Sequence, residues 1–257
     1  MQTSRLPVWR LVALSYSDVW RALRAMPLLF GCAILIFLAV RVVEQLLPSG
    51  TWSGALFGTL TSVLENAMQY FCLTPVMIAI HRFIIRGDVT RNYTVDLADR
   101  AFPLFFAWTM AISILFSVVF AFGETLLTYG RIGAISPFAA LVPFPVALIV
   151  VFWLFLRLIV LFPAIAVGAS GATAGNAFAD TKSYDFRLIA IFLLAFIPLI
   201  AVAVVVTILL GRGVMMHRST LSVVFDVFGA VLGTVVEALG VVLASHIYLA
   251  IGRKVRG

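Results

Sequence analysis

Six runs of predominantly apolar residues, separated by short polar connections, limit what this chain can become. A helix crossing the hydrocarbon layer of a bilayer needs about 20 such residues. The runs from about Pro27 to Leu47, Ala55 to Ile80, Phe102 to Phe122, Pro145 to Val167, Leu188 to Leu210 and Leu221 to Ile251 meet that length, and the second and sixth exceed it enough to tilt. Composition excludes a water-soluble alternative: 63% of the 257 residues are apolar and 11% charged, too few polar groups to cover a soluble surface. The predicted fold class is an all-α integral membrane protein, one membrane domain over 1–257 with six transmembrane helices.

Residues 1–26 form an amphipathic segment on the inner surface. Within Leu6 to Met26, residues Trp9, Val12, Ala13, Tyr16, Val19, Trp20 and Leu23 recur at helical spacing, with Asp18 and the arginines mostly elsewhere. Two further stretches, Tyr93 to Phe102 and Ala177 to Phe186, precede later hairpins in the same way. The pattern is compatible with three repeats of surface helix plus hairpin.

Orientation follows from Lys and Arg near the span ends. Thirteen lie on one side: Arg5, Arg10, Arg21 and Arg24; Arg82, Arg86, Arg91 and Arg100; Lys182 and Arg187; Arg253, Lys254 and Arg256. Three, Arg131, Arg212 and Arg218, lie on the other. Both termini are therefore expected in the cytoplasm. The net charge of +7 is explained by this asymmetry, and no nucleic-acid partner is expected.

Charged residues inside a span are costly and are expected to face protein or water. Glu65, Arg157 and Glu237 fall near the centres of their runs, with Asn66 and Gln69 beside Glu65. Small and polar residues form stripes around them: Gly54, Gly58 and Ser62 in the second span, Asp226, Gly229, Gly233 and Gly240 in the sixth. Such stripes let helices approach closely. Spans two, four and six all run inward, so depths compare directly at about 1.5 Å per residue. Arg157 and Glu237 come out near the midplane and Glu65 about one turn outside it. Glu65, Asn66, Gln69, Arg157 and Glu237 are thus predicted to form an intramembrane polar cluster, with Arg157 neutralised by Glu237 or Glu65. The cluster reads either as a structural lock or as a proton, ion or polar-ligand site.

Searches for chemistry return nothing. There is no H-E-x-x-H, no G-x-x-x-x-G-K-[ST], and no G-x-G-x-x-G after a strand. The glycine-rich stretch Gly168 to Gly175 lacks the lysine of a phosphate loop and reads as a connection. Ser245 and His246 are neighbours pointing about 100° apart, a poor nucleophile and base. His81 is expected at the headgroups. Cys32 and Cys72 lie inside apolar runs and read as small core residues. No catalytic, metal or cofactor site is predicted.

Several stretches resemble a broad group of uncharacterised bacterial inner-membrane proteins with six predicted spans, similar to the membrane domain attached to some glycerophosphodiester phosphodiesterases. The likeness rests on Leu156-Arg157-Leu158, on Pro163-Ala164-Ile165, and on Ala177-Phe178-Ala179-Asp180-Thr181-Lys182-Ser183-Tyr184-Asp185-Phe186-Arg187-Leu188. Ser183 stands where the family has glycine, and Phe178 and Phe186 where it has tryptophan. The resemblance implies the fold and the bacterial inner membrane; the phosphodiesterase barrel is absent, so that activity is not implied. The functional expectation is a non-enzymatic membrane component, a scaffold, assembly or envelope-homeostasis factor, with membrane lipids and membrane proteins as partners. The alternative is a small transporter or lipid-handling protein using the polar cluster.

Overall fold

The computed structural model describes residues 7–46, 55–131, 142–216 and 220–257, with the side chains of 44–46, 55–59, 128–131, 210–216 and 220–222 also outside the description. Arg5, Gly54 and Arg218, and the side chains of Arg131 and Arg212, which entered the arguments above, therefore lie outside the described residues.

Among the described residues every regular element is an α helix: α1 (Val8–Ala25), α2 (Pro27–Leu46), α3 (Ala55–Arg86), α4 (Ala101–Arg131), α5 (Pro143–Leu158), α6 (Leu161–Ala166), α7 (Ala174–Thr181), α8 (Asp185–Met216) and α9 (Thr220–Ile251). Five stretches, Leu60–Arg86, Ala101–Leu127, Pro143–Ala166, Asp185–Leu209 and Val223–Ile251, are long and apolar enough to cross a membrane. The bent pair Val8–Ala25 and Pro27–Val43, meeting at 99°, adds a sixth if taken as one span. Met26 makes that corner at φ −133° and ψ 53°, because a residue before proline is pushed out of the helical region.

α1 is amphipathic, and beside the stripe expected at the headgroups it has a face packed on the protein. Leu11, Val12, Ser15, Asp18, Val19 and Ala22 are buried, while Trp9 and Trp20 are exposed. Partners decide this rotation. Asp18 accepts from Arg21 and lies 2.9 Å from His246 Nε2 on α9, and the Tyr16 hydroxyl donates to the Ala195 carbonyl of α8 at 2.6 Å. Asp18, which periodicity assigned to water, is satisfied inside the protein.

Proline and glycine shape the inner end. Pro163 cannot donate to the Ile159 carbonyl, and the fourth apolar run breaks there into α5 and α6. α6 then ends in a Schellman turn: Gly168 takes φ +63°, its N–H bonds the Ile165 carbonyl, and the Ala169 N–H bonds the Ala164 carbonyl. The rest of the glycine-rich stretch is a bonded turn. Asn176 Nδ2 donates to the Gly171 carbonyl, and Thr173 caps α7 by accepting from the Asn176 N–H. Gly171 packs so tightly on the Lys254 carbonyl that no side chain fits. Asp180 holds the same tail by accepting from the Lys254 and Val255 N–H groups at 2.8 and 3.0 Å.

The three expected surface helices are not alike. α1 and α7 precede the first and third hairpins, but 91–100 is non-helical. There Asp96 and Asp99 accept from the Ala98 and Ala101 N–H groups, local bonds that compete with a helix. The Tyr93 hydroxyl ties this segment to the Cys72 carbonyl at 2.8 Å.

α3, α4, α5, α8 and α9 touch in a closed cycle. α2 packs outside α3 and α9, and α1 lies across α8 and α9. α6 plugs the inner end of the cycle, all six of its residues buried.

Candidate intramembrane binding cavity

Inside the ring of five helices is a cavity of about 630 Å³, within the roughly 300 to 1,000 Å³ of small-molecule sites. Helical spacing sets its length. On α3 its wall runs from Asn66 through Tyr70 and Met77 to His81, and on α4 from Phe105 through Thr109, Ser113 and Ser117 to Phe120. Each stripe covers sixteen residues, a rise of about 22 Å. The cavity is elongated along the helices. α9 contributes Val236, Glu237, Gly240, Val241 and Ala244, and the α5–α8 side is mainly phenylalanine. Phe155 meets Phe192 edge-on at 5.7 Å, Phe192 stacks on Phe196 at 5.7 Å, and Phe105 meets Phe162 at 5.2 Å. Aromatic contacts of this kind hold rings in place without polar partners.

The wall is open on one side. Leu193, Ile197 and Ile200 of α8 and Phe120 of α4 line the cavity, yet are 53 to 58% exposed on the apolar exterior. Of the neighbouring pairs in the cycle, α5 and α8 touch least, so the seam between them is the least closed part of the wall.

Of the five predicted cluster residues, Asn66 and Glu237 line this cavity; Glu65, Gln69 and Arg157 are outside its wall. Asn66 Nδ2 points across to Ser117 Oγ at 3.4 Å. Tyr70, on α3, lines the same cavity as the Glu237 carboxyl. Among the described residues, no donor or cation is bonded to that carboxyl.

Arg157 corrects the predicted pairing. Its Nη2 is 2.8 Å from Asp185 Oδ2, and its guanidinium lies over the Trp153 ring at 5.0 Å. Neither Glu65 nor Glu237 is its partner. The depth argument treated Pro145 to Val167 as one straight helix with Arg157 at its middle. Because the helix breaks after Leu158, Arg157 belongs to the inner end of α5, beside the first residue of α8. The Thr181 hydroxyl, donating to the Arg157 carbonyl at 3.2 Å, brings α7 to the same level.

His81 is also corrected: it is 1% exposed rather than at the headgroups. Its Nδ1 lies 2.8 Å from Ser245 Oγ, and Ser245 donates to the Val241 carbonyl at 3.0 Å. The consistent assignment is an Nδ1–H donating to Ser245, leaving Nε2 as the free ring nitrogen. Ser245 is fully buried and outside the cavity wall, so the pair orients a ring and presents no accessible nucleophile. His246, its neighbour, faces Asp18 instead. Both cysteines are free, and among the described residues no three metal-ligating side chains come together.

Below the cavity the inner base is densely bonded. Arg82 donates from Nε to the Ala166 carbonyl at 2.8 Å and from Nη2 to Asp99 at 2.6 Å, while Arg86 donates to the Val167 carbonyl. Burial alone would raise the Asp99 carboxyl. The Ala101 N–H and the Arg82 guanidinium outweigh it and hold the group below its ordinary value.

Sequence reasoning missed Tyr70, His81 and the α4 hydroxyls. A signal for the last was present: Thr109, Ser113 and Ser117 follow at steps of four in an otherwise apolar run. No family model, no curated protein and no solved structure matches this chain.

Proposed function

We propose that the protein is a six-span component of the bacterial inner membrane with both termini cytoplasmic, and that it is non-enzymatic and handles lipid by holding a lipid-like chain within the bilayer. The observation that carries this reading is the elongated, phenylalanine-walled cavity that opens sideways onto the apolar exterior and carries a carboxyl in its wall. A chain entering from the side keeps its tail in apolar surroundings throughout, and the polar side chains along α3, α4 and α9 meet its head. α1, set at 99° to α2, supports a surface role for the first helix and a separate first span in α2. The docking of α1 and of the carboxyl-terminal tail on the same inner base supports a common side for both termini.

The test is a photo-crosslinking amino acid at Ile197, introduced in cells and followed by mass spectrometry of the adduct. Attachment to a chain-bearing lipid, lost when Gly240→Trp fills the cavity, is the expected result. Adducts to neighbouring proteins alone would favour the scaffold or assembly role over lipid handling.

A further inference from the structure

We infer that the cavity selects its occupant by head group, and that this head group is a protonated amine. The inference rests on the lipid-handling reading and makes it specific. Its starting point is a carboxyl without a partner. Among the described residues, Glu237 is the only acid in the cavity wall, and none of those lining it is Lys or Arg. Among the described residues, nothing donates a hydrogen bond or a positive charge to its carboxyl. The nearby arginines are committed elsewhere: Arg157 to Asp185, and Arg82 to Asp99 and the Ala166 carbonyl. His81, the other titratable group lining the cavity besides Tyr70, is tied to Ser245, eight residues and about 12 Å along α9 from Glu237.

An acid in an apolar interior is expensive unless a partner is supplied. An ammonium group arriving on a lipid-like chain supplies both the charge and three donors. Tyr70, on the facing helix, lies three residues outward of the carboxyl's level when both are counted from the bonded His81–Ser245 pair, and its hydroxyl can accept a donor the carboxyl does not use. Space for the head exists beside Glu237: at Gly240, one turn inward on α9, an added Cβ would meet only the edge of Phe196, at 3.8 Å. The chain then runs along Phe192 and Phe196 to the opening at Ile197. A carboxylate or phosphate head would meet Glu237 as a like charge with no cation in the wall to offset it. An alcohol would bond the carboxyl but bring no cation to stabilise its ionised form.

The experiment uses the full chain in lipid nanodiscs and compares hexadecylamine, hexadecanol and hexadecanoate as competitors of a fluorescent-chain probe. The amine should displace the probe at roughly tenfold lower concentration than the alcohol, a difference of about 1.4 kcal/mol, with the carboxylate weakest. Glu237→Gln should erase the preference of amine over alcohol, and Glu237→Asp, which keeps the charge, should retain it. A carboxylate that competes as well as the amine would overturn the head-group assignment while leaving lipid handling intact. So would an amine preference that survives Glu237→Gln. If the probe is not bound at all, or none of the three competes with it, the lipid-handling reading fails with it.

Discussion

The two ends of this helical ring are built differently. At the inner end α6 is wholly buried, three arginines, Arg82, Arg86 and Arg157, are bonded to carbonyls or carboxylates, and the tail is clamped by Gly171 and Asp180. Toward the outer end α8 stands largely by itself. Its inner residues Leu188, Ile191 and Ala195 are fully buried, whereas Val202, Val204, Val205, Ile208 and Leu209 are exposed. Rigidity and access are thus segregated along one helix: the base fixes the helix positions, and the cavity opens where packing stops. A membrane makes this arrangement stable, because exposed apolar residues in lipid carry no hydrophobic penalty and only lost packing counts.

The contrast predicts where substitutions hurt. Arg157→Leu strands Asp185 at the buried base, and truncating one member of such a pair costs about 3 to 5 kcal/mol in proteins generally. Because the Asp185 side chain is 31% exposed, the low end is expected. Thermal unfolding in detergent should show the loss, Asp185→Leu on top should recover part of it, and Glu65→Gln or Glu237→Gln should recover none. Rescue by either glutamate change would restore the midplane pairing and dissolve the distinct base.

Next in size is a matched pair of apolar truncations. Leu161→Ala in α6 removes a side chain with no exposed surface and should cost about 2 to 5 kcal/mol. Val204→Ala, on the exposed outer half of α8, should stay within about 0.5 kcal/mol. Equal losses at the two sites would mean that the outer half is packed as tightly as the base.

The smallest effect concerns pH. Asp99 is held below its ordinary value of 3.8, so its contribution is present above that value and is lost as pH falls further through the lowered one. The Arg82–Asp99 pair is about a third exposed, so solvent screening limits the effect to about 1 kcal/mol or less. Asp99→Asn should flatten the melting temperature against pH below about 4. A slope there as steep as in the parent chain would assign the acid sensitivity to another carboxylate of the base.

Legibility in the sequence followed the range of each interaction. The apolar runs announced the long helices, and the amphipathic α1 was recognisable although its inward face was not. Leu11 fell outside the predicted stripe and is buried; Asp18 was assigned to water and is bonded to His246, 228 residues away. Such errors arise because periodicity measures how apolar a face is and cannot see a partner that satisfies a polar one. Glu237 and Asn66 were found because buried polar groups in lipid are conspicuous whatever surrounds them. Tyr70 and His81 were passed over because a tyrosine within a span and a histidine near its end are ordinary until their neighbours are known.

The amino-acid sequence by itself determined that these runs are helical and apolar enough for a bilayer, since that depends on transfer energies and backbone bonds within single segments. Tertiary structure decided which faces of those helices meet. The rotation of α1, the break that lowers Arg157 to Asp185, and the loosely closed seam between α5 and α8 all depend on contacts between residues far apart in the chain. A helix in lipid has no intrinsic reason to present one apolar face rather than another, so packing and the pairing of a few polar groups set the rotation of each, and with it the cavity.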